Sequence, residues 1–151
     1  MSLVEEFKRL VTALREDEFD YALCGGFAMA VHGFPRATID VDIVVETDSL
    51  EGLRKITGKL GYRENPEPMV FQNGTIVIYR FNRFEAGDPG FITLDVLCVT
   101  DAIQDPWQSR YSVDTEFGRV SVVSKEGLIS LKSIRASGQD LDDIANLKKS
   151  E

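Results

Sequence analysis

Apolar positions at the start of the chain recur at helical spacing. Leu3, Phe7, Leu10, Val11 and Leu14 fall on one side of a helix, and Glu5, Glu6, Lys8, Arg9, Arg15 and Glu16 on the other. The pattern then changes. Asp20-Tyr21-Ala22-Leu23-Cys24 reads as a short buried strand that stops at Gly25-Gly26, and Phe27 to His32 continues as a helical turn or two until Gly33-Phe34-Pro35 breaks it. The two glycines therefore sit at a strand-to-helix junction. Asp40 to Val45 is a second strand, after which Asp48 or Ser49 is placed to cap a helix carrying Leu50, Leu53, Ile56 and Leu60 and ending at Gly61.

Pro66 to Pro68 reads as a turn, and Val70-Phe71 and Ile76 to Phe81 read as strands around a hairpin signal, Asn73-Gly74. A glycine-containing loop, Glu85 to Gly90, leads into the apolar strand Phe91 to Cys98, which Asp95 interrupts. Thr100 to Arg110 looks irregular, and Tyr111 to Val123 looks like a hairpin turning at Phe117-Gly118. Ser124 and Gly127 open a helical segment with Leu128, Ile129, Leu131, Lys132 and Ile134; Gly138 interrupts it, and Leu141, Ile144 and Leu147 give a last short helix. The alternation is of α/β type. No repeat, low-complexity tract or linker divides the chain, so one domain over residues 1–151 is expected, with a core of about 18–100 and a hairpin and helices over about 110–149.

Composition narrows the class without naming a function. The chain has 151 residues, 43% hydrophobic and 28% charged, which suits a globular protein that folds without staples. No run approaches the roughly 20 apolar residues that span a bilayer, and Met-Ser-Leu-Val-Glu-Glu is not a leader, so a cytoplasmic protein with no membrane partner is expected. Cys24 and Cys98 lie in apolar runs without zinc-site spacing and read as buried free thiols, close together only if their strands are neighbours. A net charge of -8 leaves no basic face for long nucleic acid unless a partner supplies one, but does not exclude a nucleotide held through metal.

The candidate chemistry lies in Arg36-Ala37-Thr38-Ile39-Asp40-Val41-Asp42-Ile43-Val44-Val45. Side chains alternate along a strand, so Asp40 and Asp42 share one face while Val41, Ile43 and Val45 point to the other. Two adjacent like charges oppose folding unless a cation or a set of donors lies between them. Asp95 brings a third carboxylate within a few ångströms if its strand is adjacent. Three convergent acids suit two Mg²⁺ ions about 3.5 to 4 Å apart, one activating a hydroxyl and one neutralising a triphosphate. Gly25-Gly26 leaves backbone N–H groups open to a phosphate at a helix start, although a tight turn without ligand has the same sequence.

The run Cys24 to Asp42, with Asp95 following on a later strand, resembles the signature of minimal nucleotidyltransferases of the polymerase-beta-like superfamily, and within it the branch of AbiEii-type toxins. The likeness covers about residues 20 to 100; Lys132 and Asp140-Leu141-Asp142-Asp143-Ile144 resemble the branch's helical tail more loosely. It implies a mixed twisted sheet with flanking helices and a short C-terminal helical tail. It also implies transfer of a nucleoside monophosphate from an NTP to a hydroxyl on a protein, small molecule or RNA end, with release of pyrophosphate. Gly25 and Gly26 would hold the nucleotide phosphates; Asp40 and Asp42 would bind both metals; Asp95 would bind the acceptor-side metal and help deprotonate the hydroxyl. Arg36 and Thr38 would line the rim, and Lys132 would reach the triphosphate.

Simpler readings stand beside these. Arg36 is also a surface arginine paired with an acid, Lys132 a snorkelling surface lysine, and Asp140, Asp142 and Asp143 a solvated helix start. His32 is expected to pack or bond to backbone, and Trp107 and Tyr111 either shape a base pocket or pack. At the level of function the alternatives are a non-catalytic nucleotide-binding or toxin-antitoxin partner module, with an antitoxin as its protein partner, and a purely structural α/β domain.

Overall fold

A computed structural model describes residues 2–135 and 137–149. Helix α1 (Leu3–Glu16) is capped by Ser2, whose Oγ accepts from Glu5 N at 3.3 Å, and it buries Phe7, Leu10, Val11 and Leu14. There follow β1 (Ala22–Cys24), α2 (Gly25–Val31), β2 (Asp40–Val45), α3 (Leu50–Lys59), β3 (Tyr62–Glu64), β4 (Met69–Phe71), β5 (Ile76–Phe84), β6 (Phe91–Cys98), α4 (Gln104–Gln108), β7 (Tyr111–Thr115), β8 (Gly118–Val122), α5 (Lys125–Arg135) and α6 (Gly138–Lys149). Among the described residues no helix is long and apolar enough to cross a membrane.

The eight strands among the described residues form one mixed sheet, ordered β3-β5-β6-β2-β1-β8-β7, with β4 paired to β5. The β2·β6 and β1·β8 pairs are parallel, and β1·β2, β5·β6, β3·β5, β4·β5 and β7·β8 are antiparallel. Burial along β2 separates an open end from a core. Val41, Ile43, Val44 and Val45 are fully buried, so the second half of the strand is covered on both faces. Only at Asp40 and Asp42 does one face stay open.

The structure departs from the sequence reading in several places. Tyr62–Glu64 is a strand, β3, that one apolar residue in three could not signal; Tyr62 is buried and donates its hydroxyl to Glu6 Oε1 at 3.0 Å. The 100–110 connection is not wholly irregular, because α4 seats Trp107 in the core with the Arg110 guanidinium 3.7 Å above its ring. Strand β5 runs past Phe81 to Phe84, which faces Phe91. Cys24 and Cys98 are buried and free, but β2 separates their strands, so the thiols are not neighbours.

The Asn73-Gly74 signal does close a hairpin, although not with a two-residue turn. Phe71 pairs with Ile76, leaving Gln72, Asn73, Gly74 and Thr75 between the strands. Gln72, Asn73 and Gly74 all have positive φ, at 50°, 57° and 86°.

The start of α6 overturns the expectation of a solvated acidic helix end. Asp142 is exposed, but Asp140 and Asp143 are 0% and 1% exposed, and Lys132, 4% exposed, is no surface lysine. Lys132 Nζ lies 2.9 Å from Asp143 and 3.8 Å from Asp140; Arg36 donates to both oxygens of Asp143 at 3.1 Å, and Arg135 to Asp140 at 2.6 Å. Burial opposes the ionised form of both aspartates, but the hydrogen bonds from Arg135 and Ser137 to Asp140, and from Lys132 and Arg36 to Asp143, outweigh it. Both carboxyls are held below their usual range. The cluster thus joins α5 and α6 to the segment leading into β2.

Asp143→Ala should therefore cost about 3 kcal/mol, because it strips Lys132 of its nearest carboxylate and Arg36 of its only ion pair among the described residues. Urea unfolding measures it. Folding lowers the pKa of Asp143, so its contribution is present above about pH 4 and is lost on acidification; the gap between wild type and variant should narrow below that pH.

Candidate active site

Strand register places the acids. Cys24 of β1 pairs with Asp42 of β2, Asp42 with Asp95 of β6, and Asp95 with Arg80 of β5, making one row across four strands. Asp40, two residues before Asp42, shares its face. The three aspartates therefore meet because β2 and β6 run parallel with Asp42 opposite Asp95.

Their electrostatics are unbalanced. Burial, then the charges of Asp95 and Asp40, push Asp42 up to about 7, only partly opposed by Arg135 and Lys132. Burial and Asp95 also raise Asp40, with Arg80 opposing. Neither carboxylate has a hydrogen-bond donor among the described residues. Asp95 differs: Arg80 holds it bidentately, Nε to Oδ1 at 2.8 Å and Nη2 to Oδ2 at 2.9 Å. Cys24, beside Asp42, has its thiol pushed well above the ordinary range by burial and then by that carboxylate.

The glycines let α2 approach this row. Gly25 has φ +68°, and a Cβ there would collide with the Asp42 carboxylate and lie 2.8 Å from Asp42 Cβ. A Cβ on Gly26 would lie 2.6 Å from Thr38 Cβ and Oγ1. Thr38 in turn donates its hydroxyl to the Asp40 carbonyl at 3.1 Å, fixing the entry to β2. No side chain caps the start of α2, so its first N–H groups keep their capacity for an anion.

Gly25, Gly26, Arg36, Thr38, Asp40, Asp42, Asp95 and Lys132 all line one cavity of about 760 Å³. Two of them are occupied otherwise than the resemblance implies. Arg36 and Lys132 both bind Asp143, so neither extends freely into the cavity. His32 places Nε2 2.9 Å from the Val123 carbonyl, a backbone bond, and does not line the cavity. Trp107 and Tyr111 do not line the cavity; Trp107 packs in the core and Tyr111 is exposed on β7.

Sequence reasoning missed Arg80, Arg135 and the apolar walls. Arg80 follows the apolar run Ile76 to Tyr79 and looks like an ordinary solvent-facing residue until the β5–β6 register sets it opposite Asp95. Arg135 follows Ile134 at a helix end, where a basic residue is common.

Hard carboxylate oxygens that lack donors and repel one another suit Mg²⁺. Among the described residues, however, no group of three or more acid, histidine or cysteine side chains is arranged to hold a metal, and Arg80 engages both oxygens of Asp95. Asp40 and Asp42 fit as they stand. Asp95 fits only when that clamp opens.

No family model matches the chain, and no curated protein matches it by sequence. Solved structures do. An antigenic nucleotidyltransferase-like protein from Paracoccidioides brasiliensis is 23% identical with a TM-score of 0.61, over 96% of this chain and 74% of its own. ANT(2")-Ia, solved in complex with adenylyl-2"-tobramycin, is 15% identical with a TM-score of 0.67, over 99% and 90%. The lincosamide antibiotic adenylyltransferase LnuA, solved with lincomycin bound, is 16% identical with a TM-score of 0.58, over 95% of each. These likenesses show the fold alone, a twisted mixed sheet flanked by helices.

Two outcomes follow from the charge and the close approach. Because folding raises the pKa of Asp42, the folded state keeps a proton that the unfolded chain has released between about pH 4 and 7, so this group makes stability fall as pH rises through that window. In EDTA, Asp42→Asn should gain on wild type by on the order of 1 kcal/mol from pH 5 to pH 8, read as the difference in urea midpoints. Gly25→Ala should destabilise at every pH, by on the order of 1–3 kcal/mol, from its positive φ and its overlap with Asp42.

Proposed function

We propose that this protein is a Mg²⁺-dependent nucleotidyltransferase that moves a nucleoside monophosphate from an NTP to a hydroxyl acceptor and releases pyrophosphate. The observation that carries the proposal is the trio Asp40, Asp42 and Asp95 facing one cavity, with Asp42 pushed up to about 7 and without a donor, beside the Gly25-Gly26 start of α2. The fold shared with nucleotidyltransferases supports it.

Bound by these carboxylates, a pair of Mg²⁺ ions would neutralise triphosphate charge and favour the ionised acceptor hydroxyl. The chain's own groups have the remaining tasks. The acceptor oxygen attacks the α-phosphorus, the bond from that phosphorus to the bridging oxygen breaks, and pyrophosphate leaves with the electron pair. Asp95, released from Arg80, takes the hydroxyl proton. The uncapped N–H groups at Gly25 and Gly26 hold phosphate oxygens, and Arg36, Thr38 and Lys132 form the adjoining rim. Asp40 and Asp42 do not leave the strand, so the reaction is positioned by the sheet.

ANT(2")-Ia in complex with adenylyl-2"-tobramycin and LnuA with lincomycin favour a small-molecule acceptor. The run Cys24 to Asp42 keeps kinship with AbiEii-type toxins in view, with a protein acceptor or an antitoxin as partner. A second reading, nucleotide binding without transfer, is favoured by the clamp of Arg80 on Asp95, which withholds the third acid.

Purified protein should bind at least one NTP in a Mg²⁺-dependent manner, and Asp40→Ala with Asp42→Ala should remove that dependence; no such affinity in wild type would sink both readings. In a lysate supplied with each α-labelled NTP in turn, label should move to an acceptor. Asp95→Asn should slow that transfer by about 10²-fold or more while leaving nucleotide affinity near wild type. Binding without any labelled product would decide for the second reading.

A further inference from the structure

The row of acids continues into a slot that the transfer chemistry does not use. On the face that carries the Arg80–Asp95 pair, the next cross-strand pair is Ile78–Leu97, and beyond it Ile76 faces Phe71. Leu131 and Ile134 of α5 line the same cavity, and Gln72 Nε2 donates to the Ile134 carbonyl at 2.9 Å, tying the β4–β5 turn to the helix. Ile76, Ile78, Leu97, Leu131 and Ile134 are only partly buried, and Phe71 is 49% exposed.

Resting on the transfer reading above, we propose that this slot holds the acceptor, and that the acceptor is an apolar hydroxyl compound, neutral or anionic rather than polycationic. Position assigns the slot to the acceptor. In an in-line displacement the attacking hydroxyl and the leaving pyrophosphate lie on opposite sides of the phosphorus. With the phosphates seated at Gly25-Gly26, beside β1, the far side of Asp42 is Asp95, two strands away or roughly 10 Å at 4.8 Å per strand. The slot begins there.

Charge sets the class. The carboxylates lining the cavity are Asp40, Asp42, Asp95 and Asp140. The first three are committed to the reaction, and Asp140 is fully buried under Arg135, Ser137 and Lys132. Among the described residues none is left to receive the ammonium groups of a polyamine. The cations Arg80 and Arg135, 37% and 67% exposed, stand at the edges of the slot instead, and Arg80 loses its partner whenever Asp95 turns to the reaction. Apolar walls with arginines at the rim complement a hydrophobic molecule carrying at most negative charge.

Fluorescence titration of the full chain with 8-anilinonaphthalene-1-sulfonate, an apolar anion, tests this, alongside Mg²⁺-dependent binding of each of the four NTPs. The dye should bind one site, be displaced by cholate, an apolar anion with three hydroxyls, and resist tobramycin at tenfold higher concentration. Leu97→Gln should weaken dye and cholate at least fivefold. Phe71→Gln, at a position already half exposed, should do so while the chain stays folded, and NTP affinity should move less than twofold in both. Displacement by tobramycin as readily as by cholate overturns the proposal, as does unchanged dye affinity in both variants. Parallel loss of NTP affinity assigns the slot to the nucleobase and overturns it while the transfer reading stands. Absence of any Mg²⁺-dependent NTP binding in wild type overturns that reading and the proposal with it, and is recognised because dye binding persists.

Discussion

The repulsion among Asp40, Asp42 and Asp95 is the constraint around which this sheet is organised. Three carboxylates on one face of two central strands destabilise the fold, and the surrounding structure can be understood as tolerating that charge without cancelling it. Fully buried valines and isoleucine hold β2 in place on its opposite face and along its second half. Arg80 neutralises only the outermost acid of the row. Asp42 is left with neighbours of its own sign, and a group in that condition is a place where a cation gains more from binding than it would at a solvated surface.

A second electrostatic system, of opposite bias, lies on the other side of the cavity. Lys132, Arg135 and Arg36 are each matched to Asp140 or Asp143, and here the hydrogen bonds outweigh the cost of burial. The two systems communicate through the field, since Arg135 and Lys132 lower Asp42 while remaining bound to their own partners. Three basic residues lining the cavity are thus each neutralised by a carboxylate of α6. That is why Lys132 and Arg36 can belong both to the cavity wall and to the packing of α6 against the core.

Local features were legible in the sequence and long-range ones were not. Alternation along Asp40 to Val45 placed two acids on one face, and Gly25-Gly26 marked the strand-to-helix junction, because both depend on residues adjacent in the chain. Asp95 stood out as a charge inside an apolar strand. Register was invisible, so Arg80 could not be set against Asp95, nor the Ile78–Leu97 pair beside it. The acids of α6 failed for a different reason: at a helix start, solvated and buried carboxylates have the same local pattern, and only the arrival of Lys132 and Arg36 from elsewhere tells them apart. Strand β3 escaped because a sheet edge requires few apolar residues.

The row Cys24–Asp42–Asp95–Arg80 also says which parts of the chain tolerate changes in length. Each member lies on a different strand, and the side-chain period of a strand is two residues, so a slip of one residue between any two of the four strands turns an acid away from its neighbours. An insertion in the exposed loop of residues 85–90 leaves the pairing of β5 with β6 intact. A single added residue between Val41 and Val45, or between Thr93 and Leu97, does not. The fold can therefore accept added length at its loops, while a one-residue change within a few central residues of two strands takes the row apart.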